Sequence, residues 1–77
     1  MSNMQLDPIK VGTAIASFRI RKKVTQEVLS GLSDIGRSHL SAIENGARKP
    51  TLETLFRISR ALGVSMSEIV MEIEKNI

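Results

Sequence analysis

Apolar residues recur every three or four positions through most of this chain, and short polar or glycine-bearing breaks separate the periodic stretches. An α-helix turns once in about 3.6 residues, so this spacing predicts helices with one buried face each. The first opens at Asp7-Pro8, a capping side chain followed by a proline suited to the first turn. Val11, Ile15 and Phe18 then keep helical spacing up to Lys22, and Arg21, Lys22 and Lys23 crowd the end where a helix dipole favours cations. Thr25 is the predicted cap of a second helix that runs to about Leu32. Ser33-Asp34-Ile35 interrupts it, and Gly36 opens a third helix that closes at Asn45-Gly46, a left-handed stop. After a basic loop from Ala47 to Pro50, Thr51 caps a fourth helix with Glu53 in its first turn. Its buried stripe is expected from Leu52, Leu55, Ile58 and Leu62, widened by Phe56 and Ala61, and Gly63 ends it. Ser65 and Glu68 form a capping box, so a fifth helix is expected from Met66 to about Lys75. The prediction is one all-α domain of five helices over residues 1–77, with the second and third helices at about 25–32 and 36–45.

Composition narrows the class. A chain of 77 residues supports one domain at most, and a domain this small has a thin margin of stability. It has no cysteine, which excludes disulfides and thiolate metal sites and fits a cytoplasmic setting. Phe18 and Phe56 are its only aromatics, so the core must come from Leu, Ile, Val, Ala and Met, as suits packed helices. Met1 to Pro8 is polar and lacks the apolar centre of a leader peptide, and no apolar run approaches the roughly 20 residues that span a bilayer. A soluble protein without a membrane partner is expected. The formal charge is +3 and unevenly placed. Residues 1–64 carry ten Lys and Arg against five Asp and Glu, a net +5, whereas residues 65–77 carry one Lys against three Glu, a net −2. A body that meets phosphates and a last helix that faces elsewhere would divide charge in this way.

Two short helices joined by a three-residue turn are the sequence form of a helix-turn-helix, whose second helix enters the DNA major groove. Several segments then fall in register: Thr25 to Leu29, Ser38 to Gly46, Lys49 to Leu55, and Ala61 to Ser65. Together they resemble the lambda repressor/Cro-type (XRE) helix-turn-helix family, collinear from about Gly12 to Ile69. In size and layout the chain is most similar to the controller proteins of restriction-modification systems, free-standing regulators without a sensor domain. The resemblance implies a five-helix lambda-repressor-like domain that binds double-stranded DNA and regulates transcription. It also implies residue roles. Arg37, Ser38 and Ala42 match positions that face base edges, and His39 sits beside them. Arg37 is the foremost candidate, because a guanidinium can bind guanine O6 and N7 together. Thr25 and Gln26 match the helix start that holds a phosphate, and Asn45, Arg48 and Lys49 match the loop that embraces the next stretch of backbone. Arg19 and Glu44 match a family ion pair that would place the reading helix without touching DNA. The family commonly has glycine where Lys23 and Asp34 stand, so those turns are expected to be strained or locally different. Ser30 and Ser33 replace small or apolar residues on the face toward the other helix, which leaves the angle between helices open.

Met66, Val70, Ile73 and Ile77, with Ile69 beside them, make a stripe longer than one anchoring helix needs. Its distal part is expected to pack against a second copy, as family members commonly bind as dimers. Val28 and Leu32 lie one turn apart on a face where the family is usually polar. Coverage by Met4, Leu6 or Ile9 from the amino-terminal arm is the favoured explanation, and a partner surface is the other. The first functional reading is a homodimeric regulator on a palindromic operator, with RNA polymerase as a candidate further partner. The second is an antitoxin-type module that neutralises a protein through the Val28/Leu32 face and the fifth helix, and binds DNA secondarily. An enzyme is not expected. His39 has no second histidine or cysteine beside it, Glu44 has a structural role to fill, and the glycines are too isolated to cradle phosphates. The chain offers no metal site, no cofactor motif and no pocket for a small-molecule effector.

Overall fold

The computed structural model describes residues 4–77; the first three positions of the polar amino-terminal segment, read above for the absence of a leader peptide, lie outside them. Five helices follow in order: α1 (Pro8–Arg21), α2 (Gln26–Ser33), α3 (Arg37–Glu44), α4 (Leu52–Leu62) and α5 (Met66–Lys75). Each start but one is fixed locally. Asp7 accepts from the Ile9 amide at 2.9 Å, Thr25 from Val28 at 3.1 Å and Thr51 from Thr54 at 3.0 Å. Ser65 and Glu68 close a reciprocal capping box, each side chain taking the other's backbone N–H. The exception is α3, where Gly36 offers no side chain.

Both non-glycine turns keep the left-handed geometry. Lys23 has φ 59° and Asp34 φ 58°, alongside Gly46 at 83° and Gly63 at 71°. A side chain in this region costs on the order of 1–2 kcal/mol, so the expected departure is strain rather than a change of path. Ser30 and Ser33 are buried but satisfied, their hydroxyls donating back to Glu27 and Leu29 carbonyls at 2.9 and 2.6 Å.

α1 lies across α3 and α5, and α2 packs on α3 and α4. Ile15, Leu29, Leu40, Ile43, Ile58 and Ile69 are fully enclosed at their meeting point. Each such side chain stabilises the fold by roughly 1.5–3 kcal/mol, which a chain without disulfides needs. Gly12 sets the closest approach. A Cβ there would collide with the backbone carbonyl oxygens of Ile43 and Glu44, so the absence of a side chain lets α1 rest on the carboxyl end of α3.

The structure corrects three expectations about faces. Leu52 is 74% exposed and Phe56 is exposed too, so the buried stripe of α4 is Leu55, Ile58, Ser59 and Leu62. Ile69 and Ile73 are spent on the core of their own chain, and Met66 packs against it, so these three are not a free dimer surface. Val28 and Leu32 are 50% and 63% exposed, and Met4, Leu6 and Ile9 do not cover them. Leu6 instead lines a shallow apolar groove with Leu52, Val70 and Ile77, and Ile9 backs onto Gly46.

Candidate nucleic-acid interface

Capping and core packing place the α2–turn–α3 unit. Leu29 on α2 and Leu40 and Ile43 on α3 point inward, which fixes the rotation of both helices. Each residue advances a helix by about 100°, so Ser38 and Ala42 fall on the side of α3 away from Leu40 and Ile43. Arg37 and His39 flank that side. Arg37 and Ser38 are exposed, while His39 and Ala42 are half-buried. No side chain caps the amides of the first turn of α3. That end therefore presents a guanidinium, a hydroxyl and uncapped N–H donors together, with the positive end of the helix dipole behind them. Ser41 shares this outward arc, one turn after Arg37, and sequence reasoning passed over it. Its spacing from Arg37 and Ser38 was the signal that could have found it.

At the amino end of α2, the Thr25 hydroxyl is used by Val28, and Gln26 is the first helical residue. The Gln26 carboxamide is engaged: its Nε2 donates to Glu44 Oε1 at 3.0 Å. The same carboxylate receives Arg19 side-on, Nε to Oε2 at 2.7 Å and Nη2 to Oε1 at 3.0 Å. Arg19 Nη1 donates to the Val24 carbonyl at 2.9 Å. Only 6% of the Glu44 side chain and 16% of that of Arg19 is exposed. Charge-assisted bonds of this geometry are the strong kind, and here they tie the end of α1, the following turn, the start of α2 and the end of α3 into one unit.

The loop after α3 is shaped by Asn45 and Gly46. Asn45 Oδ1 accepts from the Ala47 amide at 3.0 Å, closing a turn, and its amide nitrogen makes no bond among the described residues. Gly46 takes φ 83° with Ile9 against it, and an added Cβ would meet Ile9 Cγ1 at 2.7 Å. Arg48 and Lys49 beyond it are exposed. Among the described residues, Arg37, Arg48 and Lys49 form no ion pair, whereas Arg21, Arg57 and Lys75 each lie within 4.0 Å of a carboxylate. Lys10, Lys22, Lys23 and Arg60 are likewise in no ion pair among the described residues, and the unneutralised charge on α3 and the loop after it is the kind that a polyanion would neutralise.

Next to Lys49, Leu52, Val70 and Ile77 line an apolar groove between the start of α4, α5 and the end of the chain. Of the five positions expected to form a dimer face, Val70 on α5 and Ile77 just beyond it are exposed, at 40% and 77%.

Comparison with known proteins agrees with this geometry. A model of the helix-turn-helix family matches residues 15–69. An uncharacterized HTH-type transcriptional regulator of Sinorhizobium fredii, y4dJ, is 42% identical over 60 residues, covering 78% of each chain. The control protein C.MunI of a Mycoplasma species is 37% identical over 68 residues, covering 87% of this chain and 92% of its own. Among solved structures, the restriction-modification controller protein C.AhdI from Aeromonas hydrophila superposes with a TM-score of 0.80 at 29% identity, over 84% of this chain and 98% of that one.

Proposed function

The chain belongs to the XRE-type helix-turn-helix family of DNA-binding transcriptional regulators, not enzymes, and from that premise we propose that it acts as a homodimer on a palindromic operator, with α3 seated in the major groove. The observation that carries this reading is the first turn of α3, which has no side-chain cap and carries the exposed Arg37, a cation in no ion pair among the described residues. Arg37 is assigned to a guanine edge and Ser38 to a neighbouring base or phosphate. His39 lies at the margin of the reading surface, and Ala42 offers a methyl to a thymine. Thr25 with the amino end of α2 holds one phosphate, joined by Gln26, and Asn45, Arg48 and Lys49 hold the next stretch of backbone.

The proposed dimer face is Leu52, Val70 and Ile77, continuous with Leu6 in a groove that the buried Ile73 also lines. A second copy is the occupant that fits, because a two-fold pairing would cover apolar side chains from two helices on each side. To read both half-sites, such a dimer must hold its two α3 helices about 34 Å apart, one turn of duplex. Similarity to controller proteins supports an operator beside restriction-modification genes, in the cytoplasm. Regulation by occupancy follows, with RNA polymerase either blocked or recruited. No helix among the described residues is long and apolar enough to cross a membrane.

Selection of bound sites from random duplexes tests the reading: it should return a palindrome with half-sites one turn apart. Arg37→Ala should cost about 1–3 kcal/mol on the selected site and relax preference at one base pair. Lys49→Ala should weaken all sequences alike and reduce the salt slope by about one phosphate contact. Equal losses on selected and random DNA for Arg37→Ala would remove that assignment, and a monomeric mass at tens of micromolar would remove the dimer. The exposed Val28 and Leu32 favour one second reading, a protein-binding antitoxin that also binds DNA. A partner that co-purifies in fixed ratio and is released by Leu32→Asp would establish it.

A further inference from the structure

Sequence reading gives Gln26 and Glu44 separate tasks, one at a phosphate and one in an ion pair. The structure joins them with a 3.0 Å hydrogen bond across 18 positions of chain. We infer that Glu44 is a positioning residue for the phosphate grip, holding the Gln26 carboxamide in the one orientation that can donate to DNA. The inference rests on the DNA-binding reading above and assigns a role within it.

The argument is one of donors and acceptors. An ionised carboxylate only accepts hydrogen bonds, so the atom of Gln26 that meets Glu44 Oε1 must be the amide nitrogen. The flip state of the carboxamide is thereby fixed, with one N–H spent on Glu44 and the other left over. A phosphate also only accepts. It can use the second N–H, but it repels the amide oxygen that the opposite flip would present. An unrestrained glutamine at a helix start samples both orientations and loses rotamer freedom when it binds. Here that ordering is already done, by a carboxylate that is itself held by Arg19 through two bonds and is only 6% exposed. The Arg19 charge offsets that of Glu44, so the carboxylate can sit near the proposed phosphate site without adding net repulsion. Arg19 is in turn fixed by the Val24 carbonyl at 2.9 Å. The chain of contacts therefore runs from α1 through the end of α3 to the start of α2. The residue that supports base reading from the far end of α3 also prepares the backbone contact.

A double-mutant cycle tests this on the full chain, with affinity measured by fluorescence anisotropy at one salt concentration. The probes are the selected duplex and a scrambled duplex. Gln26→Ala should weaken both by about five-fold, the loss of one hydrogen bond. Glu44→Gln should weaken both by at least as much, since it also loosens the end of α3, and the double variant should be no weaker than Glu44→Gln alone. Arg19→Lys, which keeps a cation beside Glu44, should preserve the five-fold effect of Gln26→Ala. By NMR, the two side-chain amide protons of Gln26 should be displaced from the free-glutamine positions in the parent and should return toward them in Glu44→Gln. Additive losses would overturn the inference, as would a Gln26→Ala variant that binds normally, which would mean the carboxylate sequesters the amide from DNA. If Glu44→Gln fails to fold by circular dichroism, the Arg19→Lys background decides alone: disappearance of the Gln26 effect there would overturn it. A parent protein that binds neither duplex would instead remove the functional reading on which the inference stands.

Discussion

At its carboxyl end α3 is fastened from three directions, by Arg19 and Gln26 on Glu44 and by α1 pressing at Gly12. At its amino end the same eight-residue helix has no side-chain cap, and Arg37 and Ser38 stand exposed. An isolated helix this short is marginal in water, so its order must come from tertiary contacts. Leu40 and Ile43 pack it along its inner side, and the polar fastenings are gathered at its carboxyl end, away from Arg37 and Ser38. The difference teaches how a small domain can hold a probe rigidly while leaving its tip unfilled. Rigidity and openness need not compete when they are placed at opposite ends of one helix.

The largest expected effect comes from releasing the fastened end. Arg19→Ala leaves the Glu44 carboxylate nearly enclosed without its cation and also empties the bond to Val24. Removing one partner of a buried pair costs about 3–5 kcal/mol, most of the stability available to so small a domain. Thermal denaturation followed by circular dichroism should show the midpoint falling by on the order of 15 °C. A fall of only a degree or two would mean the pair is worth no more than a surface one. Gly12→Ala comes next. Its Cβ would strike two backbone carbonyls, which cannot rotate aside as a side chain could. Overpacking of this kind costs about 1–3 kcal/mol, and the upper end applies here because backbone must move. The variant should also lose DNA affinity in proportion, since α3 would tilt at its anchored end. An unchanged midpoint would show that α1 and α3 slide freely, and the contrast between the ends would dissolve.

The anchored end and the open end differ in how far they could be read from sequence. Caps are local, so Asp7, Thr25, Thr51 and the Ser65–Glu68 box could be placed from residues at most three positions apart. The open end of α3 is likewise local, because Gly36 lacks a side chain wherever the chain runs. Helix faces were harder. Leu52 fits the period of α4, but it is the first helical residue and reaches past the core into the groove beside Leu6 and Ile77. Ile69 and Ile73 share a stripe with Val70 and Ile77, and periodicity cannot say which part of a wide stripe turns inward. α1 decides that, by lying across α5. The Gln26–Glu44 bond was beyond pattern reasoning altogether, because it depends on how two helices cross. The turns at Lys23 and Asp34 show the reverse case. The residues argue weakly for left-handed geometry, and the packed helices on either side impose it.

The smallest effect is the sharpest probe of the contrast, because it should move stability and binding in opposite directions. Gly36 is the residue before α3, with extended backbone at φ −64° and ψ 146°, and open space where a Cβ would stand. An aspartate fits there without strain and can accept from the uncapped amides of the first turn. Asp in place of Gly at this position stabilises a helix by a few tenths of a kcal/mol, a rise in midpoint of roughly 2 °C. The same carboxylate would neutralise the end of the helix that the functional reading turns toward phosphates, and would occupy N–H donors beside Arg37. Gly36→Asp should therefore melt slightly higher and bind the selected duplex at least ten-fold more weakly, with the loss growing as salt is lowered because like charges are then less screened. Gly36→Ala, which adds the Cβ without the charge, separates the two effects: it should bind nearly as the parent does. If Gly36→Asp binds DNA as well as the parent, the amino end of α3 is not where the duplex sits, however well the other end is anchored.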